Sequence, residues 1–267
     1  DVIGKVENLT LNNTVLAKKQ LDLSAMLDGY KVCQDSVQYC TNDKPFNNAA
    51  GTLNQKIIAD ALPYIETQQT IDLGYSIVNT DRAVGARLAG TIIALQNKVN
   101  IVDNPVNLHF QGVAGQSFAA WNIPGLNLNL MGEANDYVGK GMHGGKIVIH
   151  PAAEQALPSQ DIPIIGNACL YGATGGELYA AGRAGERFAV RNSGTIAVVE
   201  GVGDHCCEYM TEGTVVVLGK TGVNFGAGMT GGLAYVLDLE HQFVENYNSE
   251  NILIDRIQAE SMEAYGD

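Results

Sequence analysis

The pattern of apolar and polar positions changes character twice along the chain. Residues 1–50 are polar and irregular, with short helices expected around Leu16–Lys19 and after the candidate N-cap Ser24. A clear amphipathic helix follows. Leu53, Ile57, Ile58, Ala61 and Leu62 recur at helical spacing on one face, behind a Thr52-x-x-Gln55 capping box that satisfies free backbone N–H groups. Pro63 has no N–H and crowds the preceding turn, so it should kink or end this helix. The helix reads as a cap over one end of a hydrophobic core.

From about residue 70 the period shortens and the pattern repeats. Glycines open short apolar runs at Gly176 (ELYAAG), Gly194 (TIAVVEG), Gly213 (TVVVLG) and Gly232 (LAYVLD), at intervals of 18, 19 and 19 residues. Gly125 (LNLNLMG) and Gly145 (KIVIH), 20 apart, are earlier members, and VNLHFQG ends at Gly112. Ser76–Gly90 loosely resembles Gly182–Gly194, which sets the start of the repeat. His150–Pro163, rich in Ala, Pro and Gln, reads as an insertion.

Aligned on their glycines, the second and fourth positions are Ile147/Ile149, Leu178/Ala180, Ile196/Val198, Val215/Val217 and Ala234/Val236. All are aliphatic, so they are expected to point inward. The third positions, Val148, Tyr179, Ala197, Val216 and Tyr235, are expected outward by period-two alternation. One strand per repeat cannot pair within its own unit. It must pair with the next, about 4.8 Å away. The expected fold class is therefore all-β, a single-stranded parallel β-helix of about seven or eight coils. Gly125, Gly145, Gly176, Gly194, Gly213 and Gly232 are its structural repeat glycines, placed where the chain turns with positive φ and passes close to the coil below. Strands alternating with helices would need roughly 10–15 helical residues between them, and Gly182–Gly194 and Gly219–Gly232 hold too much glycine for that. The expected organisation is one structural domain: an irregular segment and capping helix over 1–67, the β-helix over 68–240, and a tail over 241–267.

Composition sharpens this picture. The chain has 31 glycines in 267 residues, where average usage of roughly 7% would give about 19. Twenty-nine acidic against 16 basic residues leave a formal net charge of −13, which repels phosphate backbones and anionic lipid. Nucleic acid and membrane are excluded as partners on that ground, and no run approaches the roughly 18 apolar residues of a membrane span. Asp1-Val-Ile-Gly-Lys-Val-Glu has no apolar segment of a signal peptide and no initiator Met, so the chain is expected to be a piece of a longer one. Five cysteines, an odd number, point to a reducing compartment rather than a disulfide scaffold.

Four groups of residues could carry chemistry. Gly139/Gly141/Gly144 and Gly226/Gly228/Gly231 match Gly-x-Gly-x-x-Gly, but each runs straight into another strand instead of opening a helix, so both read as structural corners. Gly219-Lys220-Thr221 resembles the end of a phosphate loop but lacks the glycine five residues earlier, where Thr214 stands. Asp204-His205-Cys206-Cys207-Glu208 allows a Cys–His nucleophile, against a reading of small apolar cysteines in a corner. Arg183, Glu186, Arg187 and Arg191 in one corner, and Asp81, Arg82 and Arg87 in another, could form a carboxylate–arginine site, or a ladder of ion pairs and Arg-to-carbonyl bonds stitching coils together. The structural reading is preferred throughout. No catalytic, cofactor-binding or metal-binding residue is assigned.

The runs SIVNTDRAVGARLAG (76–90), GVAGQSFAAWNIPGLNLNLMGEANDYVGKGMHGGKIVI (112–149), GNACLYGATGGELYAAGRAGERFAVRNSGTIAVVEGVGDHCCEYM (166–210) and GTVVVLGKTGVNFGAGMTGGLAYVLD (213–238) resemble the C-terminal glycine-repeat domain of the glutamate synthase large subunit. Weaker similarity (KKQLDLSAML, LNQKIIADAL) extends over the rest. The resemblance implies a right-handed β-helix packed against an amidotransferase domain and an FMN-binding domain of the same polypeptide. The enzyme makes two glutamates from glutamine, 2-oxoglutarate and reductant from ferredoxin or NAD(P)H. FMN and a [3Fe-4S] cluster would lie in the other domains, with no cofactor in this chain. A cytoplasmic or plastid-stromal location follows. The pattern also leads one to expect glycine at Cys206, so that corner could pack differently. The alternative is a stand-alone β-helix scaffold or binding subunit of a multi-subunit oxidoreductase, such as formylmethanofuran dehydrogenase contains.

Overall fold

The computed structural model describes residues 51–95, 99–152 and 157–257. The helices expected near Leu16–Lys19 and Ser24, together with Cys33 and Cys40, lie outside the described residues.

Helix α1 (Leu53–Glu66) starts at Thr52, whose Oγ1 accepts from the Gln55 N–H at 3.4 Å. Gln55 Oε1 returns a bond to the Gly51 N–H at 3.0 Å, one residue ahead of the cap. Ile57, Ala61 and Ile65 bury the inner face. Pro63 does not end the helix, which runs to Glu66. The one bond it forfeits, to the Ala59 carbonyl, lies between two exposed residues, and Thr67 closes the last turn by donating its N–H and hydroxyl to the Pro63 carbonyl.

The strands follow: β1 (Ile71–Ile77), β2 (Val106–Ala114), β3 (Leu126–Ala134), β4 (His143–His150), β5 (Pro163–Ile165), β6 (Gly175–Ala184), β7 (Ser193–Gly201), β8 (Glu212–Val217) and β9 (Leu233–Val236). They form one sheet, entirely parallel, in the order β1-β2-β3-β4-β6-β7-β8-β9. The short β5 bridges β3 and β6 after the expected insertion has left the sheet and returned. Helix α2 (Ala86–Ala94), between β1 and β2, was not expected. Leu88, Ala89 and Ile92 bury one of its faces, and its N-cap Gly85 donates to Asn54 Oδ1 on α1. A short helix α3 (Phe243–Asn246) follows β9.

Register fixes which side chains share the core. One inward column runs Leu73, Leu108, Leu128, Ile147, Leu178, Ala197, Val215, Ala234; the other runs Tyr75, Phe110, Leu130, Ile149, Ala180, Val199, Val217, Val236. The inward assignments of Ile147, Ile149, Leu178, Ala180, Val215 and Val217 hold, all buried. In β7 the expectation is wrong by one residue. Ala197 and Val199 are fully buried, while Ile196 is 46% exposed. The cause is the alignment on Gly194. Ile196 pairs with Glu177 and Thr214, the residues just after Gly176 and Gly213, so the residue before Ile196 that matches those glycines is Thr195, whose hydroxyl donates to the Gly175 carbonyl at 3.1 Å. Gly125 is displaced likewise, since Lys146, next after Gly145, pairs with Asn127, two residues after Gly125. Five of the six repeat glycines are left-handed, with φ from +73° to +95°; Gly194 is not. It is glycine because a Cβ there would collide with the Thr174 carbonyl oxygen.

Candidate functional site

The chemistry-bearing residues of the sequence gather on the six-residue turns that follow β2, β3, β5, β6 and β7, and these turns stack as regularly as the strands. Three alternate residues of each are left-handed: Ser117, Ala119 and Trp121; Tyr137, Gly139 and Gly141; Ala168, Leu170 and Gly172; Arg187, Ala189 and Arg191; His205, Cys207 and Tyr209; and, after β8, Asn224, Gly226 and Gly228. Most are not glycine. A left-handed residue costs of order 1–2 kcal/mol, and in the first five turns each donates its N–H to a neighbouring repeat, so that every one of these turns is bonded on both sides. Arg187 N–H donates forward to the Asp204 carbonyl (2.8 Å), Ala189 N–H backward to Cys169 (2.9 Å), and Arg191 N–H forward to Glu208 (2.9 Å). The same three bonds recur in the neighbouring turns.

Between the left-handed residues sits an inward position occupied in turn by Phe118, Val138, Cys169, Phe188, Cys206 and Phe225, all buried. Three phenylalanines share this column with the smaller Val138, Cys169 and Cys206, and no two phenylalanines are neighbours in it. Cys206 thus occupies an ordinary place in this column, and its turn makes the same bonds as the others, so the different packing expected there is not found. Burial pushes the Cys169 thiol up to about 12. Burial, then the hydrogen bond to Cys207, pushes Cys206 well up too. A protonated, inaccessible thiol is no nucleophile, and His205 Nδ1 faces Glu208 Oε1 at 3.8 Å and Asn224 Nδ2 at 3.3 Å. The Cys–His reading fails.

The arginine cluster is also dispersed. Arg183 lies on β6 opposite Gly201, with its Nε buried and without a partner, whereas Arg187 pairs with Glu208 of the next repeat at 2.7 Å. Among the described residues the stitching includes this ion pair but no Arg-to-carbonyl bond. Its continuous part is a column of acidic and amide side chains: Asp136 accepts from the Asn167 N–H (2.7 Å), Asn167 from the Glu186 N–H (2.8 Å), Glu186 from the Asp204 N–H (2.5 Å) and Asp204 from the Val223 N–H (2.8 Å). Each side chain occupies the space of a Cβ on Gly166, Gly185, Gly203 and Gly222 respectively. Sequence reasoning missed this column. Its signal was present in the recurring pairs Gly166-Asn167, Gly185-Glu186 and Gly203-Asp204, 19 and 18 residues apart.

Neither Gly-x-Gly-x-x-Gly motif opens a helix. Both sit on turns that lead into β4 and β9, and a Cβ at Gly141 or Gly228 would collide with the rings of Trp121 and Tyr209. At these two positions glycine makes room for the neighbouring ring. An open cleft of about 570 Å³, lined by His205, Asn224 and residues 245–250, and a shallower one of about 220 Å³ over Asn107, Asn127 and Lys146 gather no catalytic set. Among the described residues no group of three His, Cys, Asp or Glu is arranged to hold a metal ion, and no helix is long and apolar enough to cross a membrane.

A parallel sheet in registered repeats, with glycine corners closed by neighbouring side chains, defines a repeat-built structural domain. The chain belongs to the GXGXG motif family, whose model matches residues 54–265. It is 50% identical over 263 residues, 97% of the chain, to ferredoxin-dependent glutamate synthase 2 of Synechocystis sp. (strain ATCC 27184 / PCC 6803 / Kazusa). It is 46% identical over 259 residues, 96% of the chain, to the chloroplastic ferredoxin-dependent glutamate synthase 2 of Arabidopsis thaliana. To the ferredoxin-dependent glutamate synthase of Cyanidium caldarium it is 54% identical over 199 residues, 74% of the chain. The chain spans 17%, 16% and 13% of the lengths of these relatives.

Proposed function

We propose that this chain is the structural C-terminal domain of a glutamate synthase, folded as a right-handed parallel β-helix that fixes the spacing of an amidotransferase domain and an FMN-binding domain in the same polypeptide. The observation that carries this reading is the 50% identity over 97% of the chain to a relative of which it forms 17%. The parent reaction is then the conversion of glutamine, 2-oxoglutarate and reductant into two glutamates. Ferredoxin is the donor in the relatives' names, and a plastid stroma or cytoplasm is its compartment.

Stacked strands and stacked turns support the β-helix, because each repeat bonds chiefly to its two neighbours. Such a stack makes a rigid body. FMN and an iron–sulfur cluster belong to the other domains in this reading, since the glycines here are filled by protein and the Cys169 and Cys206 thiols are held protonated in the core. Rigidity is what two reaction centres need if ammonia released at one must reach the other.

The test is made on the full-length parent. A substitution that loosens this domain's docking without unfolding it should let glutamine be consumed without matching glutamate, while ammonia-dependent turnover survives. Abolition of one half-reaction at its own site, with the protein folded, would show that residues here take part in chemistry.

A further inference from the structure

The outer face of the sheet changes character along the stack. Its two outward columns are polar in β1–β3, where Asp72, Asn107, His109, Asn127 and Asn129 stand. Across β4 and β6 they carry the Lys146–Glu177 ion pair at 3.0 Å, Val148 and Tyr179. In β7–β9 the same two columns hold Ile196, Val198, Val216, Leu233 and Tyr235, with Thr214 their one polar member. Ile196, Leu233 and Tyr235 are 46%, 57% and 41% exposed. The polar half shows what this face carries when it meets water. A contiguous apolar patch on a flat sheet marks a surface that is covered.

We infer that the outer face of β7–β9 is buried against an apolar surface of the remainder of the parent polypeptide. This rests on the reading of the chain as one domain of a larger protein. The relatives are some six times longer than the matched segment, so the covering surface is at hand in the same molecule. A second copy is disfavoured by charge, because two chains of −13 each repel.

The test is site-resolved labelling in the native full-length parent. Ile196→Cys, Leu233→Cys and Tyr235→Cys are made singly beside Asp72→Cys and His109→Cys, alkylated with iodoacetamide and read peptide by peptide by mass spectrometry, each rate normalised to that in guanidinium. Residues 196, 233 and 235 should label at least about tenfold more slowly than 72 and 109, since alkylation needs an accessible thiolate. Equal rates at all five sites overturn the inference. Protection that disappears on dilution, together with a fall in mass by light scattering, assigns the cover to a second copy and overturns it too. The readout is burial alone, so it is independent of which reaction the parent catalyses. Loss of the glutamate synthase reading leaves a protected face standing, and an unprotected face sinks this inference without touching that reading.

Discussion

The indole of Trp121 lies where a side chain on Gly141, one repeat away, would have to stand. Both residues are left-handed, with φ of +61° and +63°. Gly172 occupies the same position one repeat further on, also at +63°, but a Cβ there would meet nothing within 4 Å. The pair separates backbone strain from steric exclusion. Gly172→Ala should cost only the left-handed strain, of order 1 kcal/mol. Gly141→Ala should cost about 2–3 kcal/mol, because strain and collision add. Thermal melts should show the larger loss at Gly141, with Trp121→Gly restoring part of it in the double variant.

The register of β7 can be tested in the same way. Ala197 and Val217 face the core and are fully buried, whereas Ile196 and Val216 face outward. Ala197→Asp and Val217→Asp should each cost about 3–5 kcal/mol by burying an unpaired carboxylate. Ile196→Asp and Val216→Asp should cost roughly 1 kcal/mol or less in this chain. Similar melts for Ile196→Asp and Ala197→Asp would refute the register.

Asp204 tests the side-chain ladder. Its Oδ1 accepts from the Val223 N–H at 2.8 Å. Asn keeps a carbonyl oxygen at that place and Ala does not. Asp204→Asn should therefore be near neutral, and Asp204→Ala should lose about 1 kcal/mol. Hydrogen exchange at the Val223 amide should speed up only in the Ala variant.

The buried thiols predict an alkaline limit. Cys169 is raised from an ordinary 9.0 to about 12 by burial, so the folded state favours the protonated thiol. Its contribution to stability is complete below pH 9.0 and is lost as pH rises through about 12, because the unfolded chain ionises first. Chemical denaturation between those limits should show stability falling with pH, and Cys169→Ala should flatten the slope while lowering stability at pH 7 through the cavity it leaves. At pH 8, peptide-resolved alkylation of Cys169, Cys206 and Cys207 should be slow until the chain unfolds.

Helix α1, the strand runs, their approximate length and the insertion after His150 were legible from local pattern. Helix α2 was not, because ARLAGTIIA sits in a segment that resembled a later corner, and the resemblance outweighed the spacing of Leu88, Ala89 and Ile92. The phase of β7 was misread because Gly194-Thr195 follows the doublets Gly144-Gly145 and Gly175-Gly176 but holds a threonine at the second place. Counting from the visible glycine moved every side chain to the opposite face, as a one-residue slip in a period-two element must.

The sequence by itself determined the repeat, since aliphatic alternation and glycine at 18- to 20-residue intervals are local and survive without any partner. It therefore determined that strands of successive units pair in parallel. Only the tertiary structure decided the register of each strand, which depends on hydrogen bonds to residues about 20 positions away. Only it showed why particular glycines are required: Gly203 lies under the Glu186 carboxylate and Gly141 under the Trp121 ring. The turns are the clearest case. Ser117, Tyr137, Arg187 and His205 are poor left-handed residues in isolation, and nothing local marks them as such. They adopt that conformation because each one's N–H then meets a carbonyl of the next repeat, and that energy exists only once the repeats are stacked.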